Sequence, residues 1–428
     1  MGFPAGLLVL LSVGALLYQP ITHGDLAKDG HCFQVLPGEE GALNIGQHWG
    51  DATPAATIFI DLSKVTSAAS SFDFRTLDPE GVIFFGDMGD HSDWFVLGLR
   101  RGKAEMQISN VVTNISVRGG QRLDDGQWHR MVVMNEGDTV RLEVDGDELL
   151  TLGHVSYPII QRQASKMRLA MGGLLLPPSY LLAPMKTPMD GCLRRWIWLN
   201  QSTTWWEGTP MQAKAKPCFS ALRPGSFFPG GGAGQLPPGR YPGTPASGRP
   251  DLAGGAAPPN GSWGLEVELG LQAPQQTGLV LAVGAPDGSL ALSLALQPTA
   301  LVVCLGNRTQ LRLPLPEGPC LDAPLRLQVS HTQLALQLGD HGEALPGQPS
   351  DFQWLQEAWL GQEGRLFIGG LPEGGETPSP QEWGTFRGCL QGIRVQGHQL
   401  DLDSALFRSN TIWAHSCPGS HERARGGR

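Results

Sequence analysis

The sequence contains none of the motifs that are typical of enzymes. It has no nucleophile elbow, no His-Glu-x-x-His sequence and no phosphate-binding loop, and the glycine-rich segment at 230–234 follows no predicted strand. No Cys-x-x-Cys pair is present, which argues against a zinc ribbon or a redox site. Basic residues cluster only at 421–425, and the net charge of -9 argues against a nucleic-acid partner. We therefore expect a binding protein, not an enzyme.

Long apolar runs are absent after residue 24. The run Ala5–Leu17 is too short to span a bilayer comfortably, and the small residues Thr22 and Gly24 follow it, a pattern that predicts a signal peptide over residues 1–24. We expect a secreted, extracellular protein without a membrane span. Four Asn-x-Ser/Thr triplets fit secretion, and the candidate glycosylation sites are Asn114, Asn200, Asn260 and Asn307.

Seven cysteines are present, an arrangement that suits an oxidising compartment. Two pairs with nearly equal spacing are predicted to form disulfides: Cys192 with Cys218, and Cys389 with Cys417. A third bridge between Cys304 and Cys320 would leave Cys32 unpaired, and the sequence does not decide this point.

The chain repeats itself. Two Gly-Gly segments, Leu169–Leu174 and Leu366–Leu371, are each followed at the same distance by a Gly-Cys pair. Upstream, the apolar segment Gly81–Gly86 matches Gly278–Gly284. Matching spacings of this kind predict two copies of one domain.

Between the copies, roughly half of residues 223–261 are proline or glycine, a composition that predicts a linker. The apolar pair Phe227–Phe228 within it is a candidate first strand of the second copy. The predicted division is a signal peptide at 1–24, an N-terminal segment at 25–44, a first domain at 45–218, a linker at 219–260, a second domain at 261–417 and a tail at 418–428.

Each copy consists of short alternating runs. Thr139–Val144 alternates, Asp145–Gly146 supplies a turn, and Glu148–Leu150 resumes, which is typical of a hairpin. No sustained helical periodicity follows the signal peptide. The predicted fold class is all-β, with antiparallel β-sandwiches.

Several segments resemble the laminin G-like domain family: Asp124–His129, Leu142–Gly146, Gly172–Gly173 and Gly191–Cys192. Further segments are similar to its tandem, steroid-binding members: Ser70–Phe72, Asp78–Phe84, Asp93–Phe95, Arg122–Gly126 and Ile412–Pro418. The resemblance implies two tandem jelly-roll-type domains and a carrier of steroid hormones, either androgens or oestrogens. The alternative is an adhesion or receptor-binding module that carries no steroid.

The resemblance also implies the site. Ser70 would meet the oxygen on steroid ring A, while Asp93 and Asn110 would meet the hydroxyl on ring D, and the apolar lining would be Phe95, Val133 and Met167. In the second copy Ser289 stands where Asp93 does. We therefore expect only the first copy to bind steroid.

The resemblance implies a calcium site as well. Its ligands would be the carboxylates of Asp78 and Glu80 and the carbonyl of Pro188. No zinc is expected at the pocket, because Val111 and Ala164 occupy the positions of the histidines that bind it in the family. The resemblance further implies a possible homodimer, formed through an edge of the first domain.

Overall fold

The computed structural model describes residues 32–33, 41–46, 54–89, 93–153, 166–201, 216–241, 263–306, 309–372 and 384–419. The predicted signal peptide, Asn260, Asn307 and Ala164 lie outside these residues. The described chain forms two β-sandwiches, one from each repeat, and its strand pairs are antiparallel. The all-β prediction is confirmed.

The strands of the first sandwich are β1 (Leu43–Asn44), β2 (Ala56–Asp61), β3 (Ala69–Thr76), β4 (Gly81–Asp87), β5 (Trp94–Arg100), β6 (Lys103–Ser109), β7 (Asn114–Arg122), β8 (His129–Asn135), β9 (Thr139–Val144), β10 (Asp147–Gly153), β11 (Lys166–Met171) and β12 (Gly191–Ile197). They form two sheets. Sheet I has the order β1-β12-β3-β8-β9-β10, and sheet II has the order β2-β11-β4-β5-β6-β7.

The elements of the second sandwich are β13 (Leu222–Pro224), β14 (Ser226–Pro229), β15 (Gly234–Leu236), β16 (Leu265–Pro274), β17 (Gly278–Gly284), β18 (Leu290–Gln297), β19 (Ala300–Leu305), β20 (Thr309–Pro314), β21 (Cys320–Val329), β22 (Gln333–Leu338), β23 (His341–Pro346), α1 (Pro349–Leu360), β24 (Arg365–Ile368), β25 (Arg387–Val395), β26 (His398–Gln399), β27 (Phe407–Arg408) and β28 (Ser416–Pro418). One sheet has the order β14-β25-β16-β21-β22-β23, with β26 on β25, and the other has the order β20-β19-β18-β17-β24-β15-β27. Strands β13 and β28 form a separate pair.

Strand β4 shows why a fully apolar run forms a strand in this fold. All seven of its residues are buried. The inner side chains, such as Phe84, join the core between the two sheets. The outer side chains, Val82 and Phe85, pack against Leu176 and Met185 of the connection between β11 and β12. Because this connection covers sheet II, both faces of β4 exclude water and no polar alternation is needed.

The Pro/Gly-rich stretch differs from the predicted linker. Its first part contains β13, β14 and β15, and the candidate strand Phe227–Phe228 is confirmed as part of β14. Both phenylalanines are fully buried. The strands are only three or four residues long, so proline and glycine can bound them without removing many hydrogen bonds of the sheet.

A helix also appears where none was predicted. Helix α1 buries Phe352, Leu355 and Trp359 in the core of the second sandwich. These residues are spaced three and four apart, which is one helical face. The helix is a single element of 12 residues, too short to give the sustained periodicity that the sequence lacks.

Both predicted disulfides, Cys192–Cys218 and Cys389–Cys417, are present. The third bridge joins Cys32 to Cys320, and Cys304 is free, so the considered pairing of Cys304 with Cys320 is wrong. Spacing suggested the local pairing, whereas the bridge closes a separation of 288 residues that only the folded chain brings together. Among the described residues, no helix is long and apolar enough to cross a membrane.

Candidate functional site

The six residues predicted to contact a ligand lie at one end of the first sandwich. Ser70 and Val133 are paired opposite each other on β3 and β8 of sheet I. Met167 and Phe95 lie near the ends of β11 and β5 in sheet II. Trp94 pairs with Ser109, which places Asp93 beside Asn110 at the same end of sheet II. The fold therefore brings Ser70 of sheet I, and Asp93 with Asn110 of sheet II, to the same end of the layer between the sheets.

The walls of this space are apolar. Val133 and Met167 are each 8% exposed and pack in the same core cluster, to which the partly buried Phe95 also contributes. The ring of Phe95 lies over Gly86, where an added Cβ atom would meet Phe95 Cζ at 2.3 Å. Because Gly86 has no side chain, the ring of Phe95 can pack directly against the backbone of β4.

Ser70 is 2% exposed and lies on the inner face of β3. Its Oγ accepts a hydrogen bond from the backbone N–H of Leu199 at 3.0 Å. This contact fixes the hydroxyl oxygen and uses it as an acceptor. A serine hydroxyl also donates, so its proton is suited to a ketone oxygen in the space.

Asn110 and Asp93 offer complementary hydrogen-bonding groups. Asn110 is 7% exposed, and its Oδ1 accepts from the backbone N–H groups of Val112 and Thr113 at 2.9 and 2.8 Å. These bonds use both lone pairs of the amide oxygen, so toward a ligand the side chain acts as a donor. The half-buried carboxylate of Asp93 acts as an acceptor. Together they suit a hydroxyl group, which donates and accepts.

The predicted calcium ligands lie in the turn between β3 and β4 and in the connection that packs against it. Asp78 is 1% exposed, and its two carboxylate oxygens accept from the N–H groups of Glu80 at 3.0 Å and Asp190 at 2.9 Å. The carbonyl oxygen of Pro188 lies 2.3 Å from where a Cβ atom of Gly81 would be. The Pro188 carbonyl therefore packs directly against Gly81, three residues after Asp78 in the chain.

Glu80 lies in the same turn as Asp78. Its Oε1 accepts from the backbone N–H of Arg101 at 3.2 Å. The residues that do gather around Asp78 come from the second sandwich: Asp403 and His415, whose ligand atoms lie within 4.8 Å of one another and of Asp78. Residue spacing gave no sign of this cluster, because Asp78 is more than 300 positions from Asp403 and His415 in the sequence.

His415 bridges the two carboxylates. Its Nε2 lies 2.8 Å from Asp403 Oδ2 and 3.5 Å from Asp78 Oδ1. Burial alone would lower the pKa of His415, but the charges of Asp78 and Asp403 outweigh it and raise the pKa to about 10. Burial raises the pKa of Asp78 to about 7, against the opposing effect of His415. The imidazolium thus supplies the positive charge that these buried carboxylates need.

The donor set around Asp78 fits a hard cation. Carboxylate and carbonyl oxygens are the ligands that calcium prefers. The imidazolium of His415 balances the negative charge of the same carboxylates that a cation would balance. The fit rests on Asp78 and Pro188, with Asp403 as an additional carboxylate that the sequence did not indicate.

Comparison with known proteins fits this geometry. The laminin G domain family matches residues 74–204 and again residues 271–398. Sex hormone-binding globulin of Oryctolagus cuniculus is 40% identical over 86% of this chain and 85% of its own length. The Homo sapiens protein of the same name is 40% identical over 86% of this chain and 84% of its own. The chain belongs to the sex hormone-binding globulin family.

The solved structures agree with the fold. Domains LG4-5 of the mouse laminin alpha1 chain superpose with a TM-score of 0.61 at 16% identity, and the match covers 89% of this chain and 95% of that chain. At this identity the likeness shows the fold alone. Relatives in the sex hormone-binding globulin family are named for binding a hormone, not for catalysis, in agreement with the non-enzymatic prediction. The predicted resemblance to tandem laminin G-like domains is confirmed.

The predicted glycosylation sites and the positions that bear on zinc remain predictions. Asn114 begins β7 and Asn200 follows β12, and both are exposed. Asn114 Oδ1 accepts from Ser109 Oγ at 2.7 Å, and Asn200 Nδ2 donates to Thr66 Oγ1 at 2.8 Å. Val111 is 76% exposed, and Ala164 lies outside the described residues, so the expected absence of zinc stays a prediction.

Proposed function

We propose that this protein is a secreted carrier that binds an androgen or an oestrogen between the two sheets of its first sandwich. The observation that carries the proposal is the convergence of Ser70, Asp93 and Asn110 on one apolar inter-sheet space. Membership of the sex hormone-binding globulin family supports the ligand class. The three disulfides suit an extracellular protein.

The chemistry matches a steroid. A steroid is a rigid apolar body with a polar atom at each end, and burying about 400 Å² of it gives roughly 10 kcal/mol at 25 cal/mol per Å². The entropy lost on association offsets part of this favourable free energy. Oriented hydrogen bonds then decide specificity. Ser70 donates to the ring A oxygen, and Asp93 with Asn110 pairs with the ring D hydroxyl.

The second sandwich supports the proposal that only the first copy binds steroid. Ser289, at the position of Asp93, is part of an exposed turn in which it bonds to the side chain of Asp287. Its hydroxyl proton is used by Asp287, and serine offers no carboxylate to accept from a steroid hydroxyl. We propose that the second copy carries no steroid at the equivalent position.

The test is a binding assay with tritiated steroid on the secreted full-length protein. Replacing Asp93 with alanine removes a charge-assisted acceptor and should weaken binding of a 17β-hydroxy steroid about ten- to a hundredfold. The affinity for a 17-keto steroid, which cannot donate a hydrogen bond to Asp93, should fall much less. The matched control Ser289→Ala should change neither affinity. Equal losses for both ligands would refute the proposed orientation, and absence of steroid binding by the unaltered protein would favour the adhesion alternative.

We further propose that calcium stabilises the first sandwich through Asp78 and Pro188, with Glu80 joining from the same turn. Calcium supplies a positive charge to buried oxygen atoms. This chain's own residues fix those oxygens, since the carboxylate of Asp78 is held by two backbone N–H groups.

A homodimer is also proposed, formed through β7. This strand is at the edge of sheet II, and most of its side chains are exposed or half-buried. An exposed edge strand can pair with a second copy. Asn114 begins the same strand, so a glycan there opposes dimerisation. Light scattering of the steroid-bound protein tests this, and a monomeric mass contradicts it.

A further inference from the structure

The indole of Trp198 lies in the same inter-sheet space as the proposed steroid slot. Trp198 directly follows β12 of sheet I and is 4% exposed. Its ring is stacked with that of Phe95 from sheet II, with centroids 5.9 Å apart and planes inclined by 6°. It also meets Phe84 edge-on at 5.0 Å. The predicted lining residue Phe95 is therefore continuous with a second aromatic surface contributed by the opposite sheet.

The indole nitrogen of Trp198 is in an unusual position. Its Nε1 is buried and has no hydrogen-bond partner within the described part of the chain. Buried tryptophan N–H groups normally find an acceptor, because an unmade hydrogen bond in the interior is unfavourable. The ring is stacked on Phe95, a predicted lining residue, so an oxygen of the proposed ligand is the natural acceptor.

The backbone ties Trp198 to the Ser70 end of the slot. The next residue, Leu199, donates its N–H to Ser70 Oγ at 3.0 Å. The backbone of Trp198 is therefore anchored one residue away from the hydroxyl that is proposed to meet ring A. A ketone oxygen has two lone pairs and accepts from two donors.

We infer that Trp198 determines specificity, with its indole N–H and the hydroxyl of Ser70 both donating to one ketone oxygen on ring A. This inference rests on the proposed steroid binding. It predicts that the protein prefers ligands with an acceptor at this position, and that the two donors share that preference. The ring of Trp198 packs against the steroid together with Phe95.

The test uses two 17β-hydroxy steroids that differ only in the ring A ketone, one with the oxygen and one without it. Trp198→Phe keeps an aromatic ring to stack on Phe95 but removes the N–H together with part of the fused ring. Both steroids lose some packing, but binding of the keto steroid should weaken about five- to tenfold more than binding of the deoxy steroid, because only the ketone accepts from the N–H. The matched control is Trp263→Phe, since Trp263 also has a buried Nε1 without a partner among the described residues but packs on Phe352 in the second sandwich. That variant should change neither affinity.

A second measurement does not depend on how well the Trp198 variant folds. Ser70→Ala should reduce the preference for the keto steroid without removing it, because Trp198 still donates. Loss of the whole preference in Ser70→Ala, or an equal loss for both steroids in Trp198→Phe, would overturn the inference while leaving the proposed function intact. An unaltered protein that binds neither steroid would refute the proposed function, and the role of Trp198 with it.

Discussion

At Gly86 the absence of a side chain makes room for an aromatic ring of the proposed slot. A Cβ atom there would lie 2.3 Å from Phe95 Cζ and 2.8 Å from Leu169 Cδ2. Gly86→Ala should therefore displace Phe95, destabilise the first sandwich by about 1–3 kcal/mol and weaken steroid binding more than tenfold. Thermal melts and tritiated steroid binding on the same preparation measure both effects.

The control for this substitution is Gly153→Ala. Gly153 ends β10, and a Cβ atom added there meets no atom within 4 Å. This variant should bind steroid and melt as the unaltered protein does. A Gly86→Ala protein that kept full affinity would show that the position of Phe95 is not set by the glycine, and that Phe95 contributes little to the slot.

From the sequence alone, the polar anchors of the slot could be predicted only through a family resemblance. The sequence places Ser70, Asp93 and Asn110 far apart, and nothing in their spacing shows that they meet at one end of a sandwich. The register of β5 with β6 places Asp93 beside Asn110, and packing of sheet I against sheet II brings Ser70 to the same layer. Trp198 was not predicted at all, since an apolar ring at a strand end is typical of a core residue and only the unsatisfied Nε1 distinguishes it.

At the scale of elements, the start of β8 is fastened to the β9–β10 turn by a histidine. His129 Nδ1 lies 2.7 Å from Asp145 Oδ2, and Nε2 lies 3.1 Å from Asp125 Oδ1. Burial alone would lower the pKa of His129, but hydrogen bonds to Asp145 and Asp125 outweigh it and raise the pKa above its ordinary value. These contacts give His129 a structural role at the start of β8.

The raised pKa of His129 predicts a pH dependence of stability. A group that binds its proton more tightly when folded stabilises the protein fully below its unfolded pKa of about 6.5 and loses that contribution as the pH rises through the folded pKa. His129→Gln should therefore be less stable than the unaltered protein at about pH 6, and the difference should shrink toward about pH 9. Urea denaturation at both pH values, followed by tryptophan fluorescence, measures this.

The matched control is His398→Gln, because His398 is exposed on the short strand β26. Its stability should track that of the unaltered protein at both pH values. A gap between His129→Gln and the unaltered protein that stayed constant or widened with rising pH would show that His129 does not act through its charge.

Element types followed from the sequence where the pattern was long and regular. The alternation in Thr139–Val144 became β9, and the turn at Asp145–Gly146 joins it to β10. Composition was a poorer guide in the Pro/Gly-rich stretch, where β14 forms because two phenylalanines are buried at Phe227–Phe228. Burial against other strands overrides local preference there, and a single sequence does not show those partners.

At the scale of the whole molecule, the proposed calcium site lies where the two sandwiches meet. Asp190 of the first sandwich accepts three hydrogen bonds from His415 and Ser416 of the second, at 2.9–3.1 Å. Asp78 faces His415 and Asp403 beside it. Calcium at Asp78 should therefore stabilise the folded chain, by about 2.7 kcal/mol at a hundredfold excess over its dissociation constant.

Thermal melts with calcium and with chelator test this prediction. The unaltered protein should melt at a higher temperature with calcium, and Asp78→Ala combined with Glu80→Ala should remove the shift. Asp340→Ala combined with Glu343→Ala is the matched control, since it removes the same charge from exposed positions in the second sandwich. No shift in the unaltered protein, or a shift that survives in the Asp78 and Glu80 variant, would contradict the calcium proposal.

The N-terminal segment connects the two sandwiches by a second route besides the chain that joins them. Leu43–Asn44 pairs with β12 of the first sandwich, while Cys32 is bridged to Cys320 of the second. Phe33 is fully buried and packs on Phe227 with ring centroids 5.4 Å apart. The bridge and this aromatic contact hold the start of the described chain against a domain that is distant in sequence.

Removing this bridge should weaken the whole assembly. Closing a loop of 288 residues stabilises a protein by on the order of 5 kcal/mol in the chain-entropy model, an upper figure here because two other bridges already restrict the chain. Cys32→Ser combined with Cys320→Ser should lower the melting temperature, whereas the control Cys304→Ser should not, since Cys304 is free. Burial raises the pKa of the partly buried Cys304 thiol, so an alkylating reagent should label that residue more slowly in the folded than in the unfolded protein. Peptide mapping without reductant decides the pairing, and recovery of a Cys304–Cys320 peptide would contradict it.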